Sequence, residues 1–386
     1  MKILFVFWDM TRVNLLNKVD SENVATDIDK FLDEIGGTFY TNCYTPAPDT
    51  PRSLASMQSG LYPYSNGCDS RIKWPKFFLN EEKITIFDQF DKASFKQLFY
   101  LPDINYNVGP FSERAYKYGE FFNDRYKFKE AVKKNIDGDG NLFAHIHLDD
   151  YHWAIDDYGS NKRGVKIGRK NVVDFTESFF NDISINSFDY VFIFSDHGHK
   201  FRKDMITENR LELLNSDRTK ILMHIRRKDE YRVSKNTKLC AIFDIFPTIQ
   251  EILKYNDVSN DGVSLFSKKE HSEIIIEDHS KFNVEPIQGL EVWAIRKIKS
   301  LYITNIINDL YFENNIIKEI SKSVKIENIG HISKKSPVIK DYQKKLKVLN
   351  YYKNLKGSRG EFNNGNRRRK DNFFTKIIRI INNVNG

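Results

Sequence analysis

The sequence predicts an α/β fold with a mainly parallel central sheet and helices on both faces of that sheet. Apolar runs typical of strands that are buried on both faces occur at residues 2–8, 141–148 and 190–195, and segments with helical periodicity separate them. Strands that alternate with helices along a chain indicate parallel pairing through crossover connections. At 386 residues, the chain is long enough for one large domain plus an appendage.

Each predicted element has its own local signal. The first strand, at residues 2–8, is continuously apolar, and residues 190–195 read Tyr-Val-Phe-Ile-Phe-Ser, the clearest strand of the chain. A helix predicted at residues 53–61 begins behind Pro51 and ends in a turn rich in Pro, Asn and Gly. The other predicted elements are strands at residues 37–43, 97–101 and 141–148 and helices at residues 23–34, 84–89, 122–136 and 165–181.

The sequence gives no sign of membrane insertion or export. It contains no run of about 18 apolar residues, and the apolar stretch after Lys2 ends at Asp9, too early for a signal peptide. The three cysteines, Cys43, Cys68 and Cys240, show no CxxC or metal-ligand spacing, which predicts reduced thiols in or near the core. We therefore expect a cytoplasmic protein.

The basic charge of the chain lies in its C-terminal segment. Residues 331–386 contain fifteen Lys and Arg against three acidic residues, a net charge of +12, whereas the whole chain carries +8. The remainder is slightly acidic, and no nucleic-acid partner is expected. Residues 367–384 place four basic residues before apolar residues at helical spacing, which predicts a peripheral helix on an anionic membrane surface, at the inner face of the membrane. Docking of this helix on the domain or on a partner subunit is the alternative.

Residues that can hold a metal ion and attack an ester follow the predicted strands. Asp9 ends the first strand, and Asp196 and His197 follow the strand at residues 190–195. Because parallel strands gather ligands at their carboxyl ends, these side chains are expected to form a metal site. Thr50 stands at a helix N-terminus, where backbone N–H groups and the helix dipole would hold a phosphate or sulfate oxyanion. A divalent cation there would lower the pKa of the Thr50 hydroxyl.

Ordered motifs in the chain resemble the alkaline phosphatase and sulfatase superfamily. Residues 50–63 are similar to its nucleophile segment, in which a Cys, Ser or Thr stands ten residues before a Gly-x-Tyr-Pro turn. Residues 192–198, Phe-Ile-Phe-Ser-Asp-His-Gly, resemble its second metal motif. Segments similar to the helix and loop that close the large domain and to strands of the small subdomain are found at residues 244–249, 261–265, 293–296 and 309–311.

The resemblance implies a domain organisation. An alkaline-phosphatase-like catalytic domain is expected at residues 1–268, and a small C-terminal α+β subdomain at residues 269–325 would complete the site. A basic, partly helical tail would follow at residues 326–386.

The nucleophile position departs from the formylglycine sulfatases. Threonine cannot be oxidised to formylglycine, since its extra methyl leaves at most a ketone, and Arg52 and Leu54 replace the Pro and Arg of the sulfatase motif. The resemblance therefore implies a phosphodiesterase or a transferase of phosphoethanolamine or phosphoglycerol, acting through a covalent phospho-Thr50 intermediate. A phosphate-ester donor would pass its group to water or to an alcohol or sugar acceptor, for instance on a surface polysaccharide. A sulfatase or phosphonate hydrolase, and a non-catalytic binding module that retains the fold, are the alternatives.

The resemblance also implies one divalent metal ion, and the ligands would be Asp9, Thr50, Asp196 and His197. Asp149 and His152 are three residues apart, whereas two-zinc members use an Asp-x-x-x-His spacing. Met10 occupies a position where many sulfatases carry a second aspartate, which favours Mn²⁺ or Zn²⁺ over Ca²⁺. His152, in a loop predicted at residues 147–153, would protonate the leaving group or contact the substrate.

Further polar residues are candidate substrate contacts, namely Arg52, Asp150, His199, Lys200 and His279. Arg52 adjoins the nucleophile and would clamp a phosphate oxygen, with a structural role as the equal alternative. His199 and Lys200 follow the second metal motif, and His279 lies where some members of the superfamily bring a late histidine. Three other histidines are expected to be structural, namely His145, His147 and His224.

Overall fold

The structure, a computed structural model, describes residues 1–68, 79–102, 117–199, 216–255, 257–279, 291–297 and 300–306. For residues 277–279, 291–297 and 300–306 it describes the backbone alone. Lys200, the strand predicted at residues 309–311 and the basic tail with its helix at residues 367–384 lie outside the described residues. The domain boundaries and the membrane-binding helix therefore stay predictions.

Eight of the described strands form one sheet, and all of them except β7 run in the same direction. In spatial order the strands are β4 (Gly119–Phe122), β3 (Phe95–Tyr100), β5 (Asn141–Leu148), β1 (Lys2–Trp8), β6 (Tyr190–Phe194), β7 (Met223–Arg227), β2 (Gly37–Tyr44) and β8 (Val233–Ala241). Strand β7 pairs antiparallel with both β6 and β2. The predicted mainly parallel sheet is confirmed.

Helices connect these strands. They are α1 (Asp27–Ile35), α2 (Thr50–Ser59), α3 (Pro63–Asn66), α4 (Ile86–Lys92), α5 (Arg125–Ile136), α6 (Asp150–Tyr158), α7 (Lys162–Asp182), α8 (Ser216–Thr219) and α9 (Ile245–Leu253). Among the described helices, none combines the length and apolarity that a membrane crossing needs.

Two hydrophobic cores lie on opposite faces of the sheet, and β1 divides its side chains between them. Leu4, Val6 and Trp8 pack with apolar residues of α1, α5, α6 and α7. The alternate residues of β1 pack with apolar residues of α2, α4 and α9. Residues 3–8 are all 0% exposed, as expected for a central strand covered by helices on both faces.

A separate antiparallel sheet follows the large one. It contains β9 (Ile274–His279), β10 (Glu291–Lys297) and β11 (Ser300–Ile306), with β10 in the middle. The strand predicted at residues 293–296 lies within β10 and is confirmed.

The structure corrects the local predictions at several places. The predicted loop at residues 147–153 is the end of β5 and the beginning of α6, whose buried residues Tyr151, Ala154 and Ile155 have helical spacing. The helix predicted from residue 122 begins at Arg125, because β4 occupies the preceding residues. The strands β4, β7, β8, β9 and β11 were not predicted. In β8 the first six residues are exposed or half-buried, so its sequence lacks an apolar run.

Candidate active site

The candidate site forms where β1, β5 and β6 end side by side. Trp8 at the end of β1 is in register with Leu148 of β5, and Phe7 is in register with Phe194 of β6. The residues that follow these strands are thereby brought to one edge of the sheet. The backbone N–H of Asp9 donates to the carbonyl oxygen of Leu148 at 2.9 Å, which continues the pairing of the two strands into the site.

A tight turn after Asp9 links the first strand to the metal motif. Met10 has a φ of 58°, in the left-handed region that few residues other than glycine adopt. In this conformation its backbone N–H donates to Asp196 Oδ1 at 2.9 Å. The strained turn therefore holds the Asp196 carboxylate beside Asp9.

Helix α2 places the Thr50 hydroxyl against the two loops. Asp49 caps the helix by accepting from the backbone N–H of Arg52 at 3.3 Å, and Thr50 is the first helical residue. The Thr50 hydroxyl donates to Asp9 Oδ1 at 3.1 Å, and its oxygen lies 3.4 Å from His197 Nε2. The predicted nucleophile therefore contacts two of the predicted metal ligands.

The imidazole of His197 is oriented with Nε2 toward Thr50. Its Nδ1 donates to the carbonyl oxygen of Gly198 at 2.8 Å, which leaves Nε2 as the acceptor nitrogen of the neutral ring. Gly198 is required at this position, because a Cβ atom there would lie 2.2 Å from the carbonyl oxygen of Asp217. The glycine of the motif thus allows the close approach that positions His197.

The two carboxylates are buried close together, which makes their simultaneous ionisation costly. Burial raises the pKa of Asp196 well above its usual range, and the charge of Asp9 raises it further. Burial also opposes the ionisation of Asp9, but the neighbouring His152 outweighs it and lowers the pKa of Asp9 well below its usual range. A cation between the carboxylates would allow both to be charged.

The residues present fit a divalent cation. The ligand atoms of Asp9, Asp196 and His197 lie within 4.8 Å of one another. Asp196 Oδ2 is buried and lies 3.3 Å from His197 Nε2, a separation compatible with both atoms binding one cation. A second set, Asp9, His147 and Asp149, meets the same distance limit. The prediction of one metal ion, and its identity, therefore stay predictions.

His152 lies beside this cluster on α6. Its Nδ1 is 2.7 Å from Asp9 Oδ2, and its Nε2 is 3.7 Å from Asp156 Oδ2. Burial lowers the pKa of His152, but the Asp9 carboxylate outweighs burial and raises this pKa to about 9. The imidazole is half-exposed, so the predicted role as a proton donor to a substrate is compatible with its position.

His147 and Asp149 were not predicted as site residues. His147 Nε2 lies 2.9 Å from Asp149 Oδ1, and burial of the ring is outweighed by Asp149 and Asp9, which raise the pKa of His147. A His-x-Asp sequence at the end of a buried strand was the available signal. His145, two residues earlier, has a pKa well below the usual range because of burial, in accord with a structural role.

In the structure, Arg52 and Asp150 each form an ion pair with another side chain. Arg52 is fully buried, and its guanidinium forms an ion pair with Asp49, with Nε donating to Asp49 Oδ2 at 2.6 Å. Arg125 Nη2 donates to both carboxylate oxygens of Asp150, at 2.7 Å to Oδ1 and 2.9 Å to Oδ2. These contacts support a structural role for Arg52, the alternative weighed above, and direct Asp150 toward α5.

Of the remaining candidate residues, His199 has a described side chain, whereas His279 and Lys200 do not. His199 is largely buried and hydrogen-bonded to the hydroxyls of Tyr151, at 3.0 Å, and Ser160, at 2.9 Å, so it ties the loop after β6 to the α6 region. His279 ends β9, but its side chain lies outside the described atoms, as does Lys200 altogether. His224 is buried and donates through Nε2 to the carbonyl oxygen of Gly36 at 2.7 Å, as expected of a structural histidine. The cysteines Cys43, Cys68 and Cys240 are buried and are reduced thiols, as predicted.

Comparison with known proteins identifies the fold. A 2-O GAG sulfatase matches with 12% identity over 92% of this chain and 93% of its own, with a TM-score of 0.60. The phosphonate monoester hydrolase of Agrobacterium radiobacter matches with 13% identity over 92% and 95% of the two chains, with a TM-score of 0.59. An alkaline phosphatase superfamily protein of Vibrio parahaemolyticus matches with 12% identity over 83% and 85%, with a TM-score of 0.56.

Comparison by sequence gave no such relatives, since neither a family model nor a curated protein matches the chain. The structural matches show that the chain has the fold of the alkaline phosphatase and sulfatase superfamily, as its motifs predicted.

Proposed function

We propose that the protein is a metal-dependent enzyme that cleaves phosphate esters with Thr50 as its nucleophile. The observation that carries this proposal is the position of the Thr50 hydroxyl, which lies at the N-terminus of α2 and contacts both Asp9 and His197. A structural threonine at a helix start needs neither a carboxylate nor an imidazole beside its hydroxyl. The positive end of the α2 dipole adds a smaller stabilisation of negative charge on the ester, since Pro51 has no N–H and Asp49 accepts from the N–H groups of Arg52 and Ser53.

Asp9, Asp196 and His197 would hold the metal ion. When bound, a divalent cation lowers the pKa of a hydroxyl beside it and neutralises charge on the ester. Thr50 Oγ1 loses its proton to solvent water and attacks phosphorus, a phospho-Thr50 intermediate forms, and the bond from phosphorus to the leaving oxygen breaks. In the second step water or an alcohol attacks phosphorus, the bond from phosphorus to Oγ1 breaks, and Oγ1 regains a proton from solvent. His152 donates a proton to that oxygen and takes one from the water or alcohol that attacks the phospho-threonine.

The choice of phosphate over sulfate rests on the chemistry of threonine. Thr50 cannot supply a formylglycine hydrate, so the hydroxyl itself must be the attacking group. A sulfatase and a phosphonate hydrolase remain the alternatives, because proteins with those names share the fold. Transfer to an alcohol or a surface polysaccharide, with the basic tail at an anionic membrane, is a further proposal that rests on sequence alone.

A panel of chromogenic esters tests this proposal. Metal-stripped full-length protein is refilled with Mn²⁺, Zn²⁺ or Ca²⁺ and assayed on bis(p-nitrophenyl) phosphate, p-nitrophenyl phosphate, p-nitrophenyl phenylphosphonate and p-nitrophenyl sulfate. We expect metal-dependent hydrolysis of the diester above all others. Faster turnover of the sulfate ester would overturn the phosphate assignment. Metal binding without turnover of any ester would favour a binding module.

A further inference from the structure

Ser53 lies one turn after Thr50 on α2 and is fully buried. Residues three apart on a helix lie on the same side of it, so Ser53 faces the same loops as the proposed nucleophile. Its hydroxyl donates to the backbone carbonyl oxygen of Asp196 at 2.9 Å. Helix α2 is thereby joined directly to the loop that carries two of the predicted metal ligands.

The hydroxyl of Ser53 also contacts the start of the loop that leads to Thr50. Thr45, which is fully buried, places its Oγ1 2.9 Å from Ser53 Oγ and 2.8 Å from the carbonyl oxygen of Ala47. A carbonyl oxygen can only accept, so the single proton of Ser53 goes to Asp196, and Ser53 Oγ accepts from Thr45. Two ends of the nucleophile loop and the metal loop therefore meet at one buried hydroxyl.

Ser53 holds the backbone of Asp196, whereas other donors hold its carboxylate. Asp196 Oδ1 accepts from the backbone N–H of Met10 at 2.9 Å and from that of His197 at 2.8 Å. These bonds orient the carboxylate within the loops after β1 and β6, but they do not involve α2. The position of the loop relative to Thr50, whose Oγ1 lies 3.4 Å from His197 Nε2, depends on the bond from Ser53.

We propose that Ser53 is a positioning residue, which sets the separation between Thr50 and the metal ligands Asp196 and His197. This role rests on the proposed function, because a nucleophile that acts together with a metal ion needs a fixed distance to the ligands of that ion. Without the Ser53 hydroxyl, the buried carbonyl oxygen of Asp196 loses this donor, and the loop after β6 is released from α2.

Ser53→Ala tests the role, with Ser59→Ala as the matched control. Ser59 is a second buried serine of α2, and its hydroxyl donates to the carbonyl oxygen of Ala55 in the same helix at 2.7 Å. Isothermal titration of the metal-stripped, full-length protein with Mn²⁺ and Zn²⁺ should show about tenfold weaker binding in Ser53→Ala. Ser59→Ala should leave the affinity unchanged.

Steady-state kinetics on bis(p-nitrophenyl) phosphate at saturating metal gives a second measurement. We expect kcat of Ser53→Ala to fall by about 10²-fold with little change in KM, because the geometry of attack changes and substrate binding does not. Ser53→Cys keeps the volume of the side chain and offers a weaker donor, so it should lie between wild type and Ser53→Ala in both measurements.

Equal metal affinities of Ser53→Ala and Ser59→Ala would overturn the positioning role, and so would a raised KM with unchanged kcat. If Ser53→Ala fails to fold, wild-type metal affinity and kcat in Ser53→Cys would overturn it as well. The titration needs no turnover. Wild-type protein that binds metal and hydrolyses none of the esters would therefore reject the proposed function alone, whereas wild-type protein that binds no metal would reject both.

Discussion

Arg52 lies beside the proposed nucleophile and stabilises the N-terminus of α2 through a buried ion pair. Its guanidinium is fully buried and paired with the carboxylate of Asp49, which also caps α2. Removing one partner of a buried ion pair leaves the other charge without compensation, which is much more costly than losing an exposed pair. The pair therefore holds the N-terminus of α2, and with it Thr50, in place.

Arg52→Ala should lower the free energy of unfolding by about 3–5 kcal/mol. The matched control is Lys170→Ala, which breaks the exposed Lys170–Asp174 pair on α7 and should change stability little. Urea denaturation of both variants measures the difference. Equal free energies of unfolding for the two variants would show that the buried Arg52–Asp49 pair stabilises the fold no more than the exposed Lys170–Asp174 pair does.

His152 should matter most for substrates with poor leaving groups. His152→Gln removes the proton donor, so we expect hydrolysis of a dialkyl phosphate to fall by about 10²–10⁴-fold. Hydrolysis of bis(p-nitrophenyl) phosphate should fall far less, since nitrophenolate leaves without a proton. Steady-state kinetics on both esters measures the two losses. Equal losses would indicate that His152 acts only by positioning Asp9.

At the scale of single residues, the sequence was informative for polar residues that follow a predicted strand or begin a predicted helix. Asp9, Thr50, Asp196 and His197 were predicted from those positions, and the structure brings them together. The partner of Asp150, Arg125 of α5, could not be predicted, because it is decided by which helix lies opposite in the folded chain. The partner of Arg52, Asp49, lies only three residues earlier, but the sequence does not show that this pair is fully buried.

At the scale of elements, the conformation of the loop that follows β6 depends on a glycine, Gly198. Gly198→Ala would push the chain away from the Asp217 carbonyl oxygen and displace His197. We expect the affinity for a divalent cation to fall by about 10–100-fold. Gly140→Ala is the control, because a Cβ atom at Gly140 meets nothing within 4 Å. Equal metal affinities of the two variants in a titration would contradict this role of Gly198.

The elements also show where pattern reasoning was limited. Strands β1, β5 and β6 are buried on both faces, so their sequences are mainly apolar and their bounds were predicted to within one residue. Helix α6 was taken for a loop, because a short segment with four acidic residues from Asp149 to Asp157 gives little apolar periodicity. Its helical state depends on packing against α7 and the core.

For the molecule as a whole, buried neutral histidines predict sensitivity to acid. Burial lowers the pKa of His224 to about 4, from an ordinary value of about 6.5. The unfolded chain therefore binds a proton more readily than the folded one below pH 6.5. The stabilisation by neutral His224 is fully present above pH 6.5 and is lost as the pH falls toward 4.

Between pH 7 and pH 5, His224 should account for a loss of about 2 kcal/mol in the free energy of unfolding. His224→Gln keeps a donor for the Gly36 carbonyl oxygen and cannot titrate, so its stability should fall less over the same range. Urea denaturation at both pH values gives the comparison. An equal fall in wild type and variant would contradict the assignment to His224.

The most direct test of the central claim is the rate of metal-dependent diester hydrolysis by Thr50→Ala and Thr50→Ser, with bound metal measured for each. We expect Thr50→Ala to lose at least about 10³-fold in rate, the scale of losing a covalent nucleophile, while Thr50→Ser, which keeps the hydroxyl, retains most of the rate. A Thr50→Ala protein that binds metal and hydrolyses the diester within tenfold of wild type would contradict this expectation.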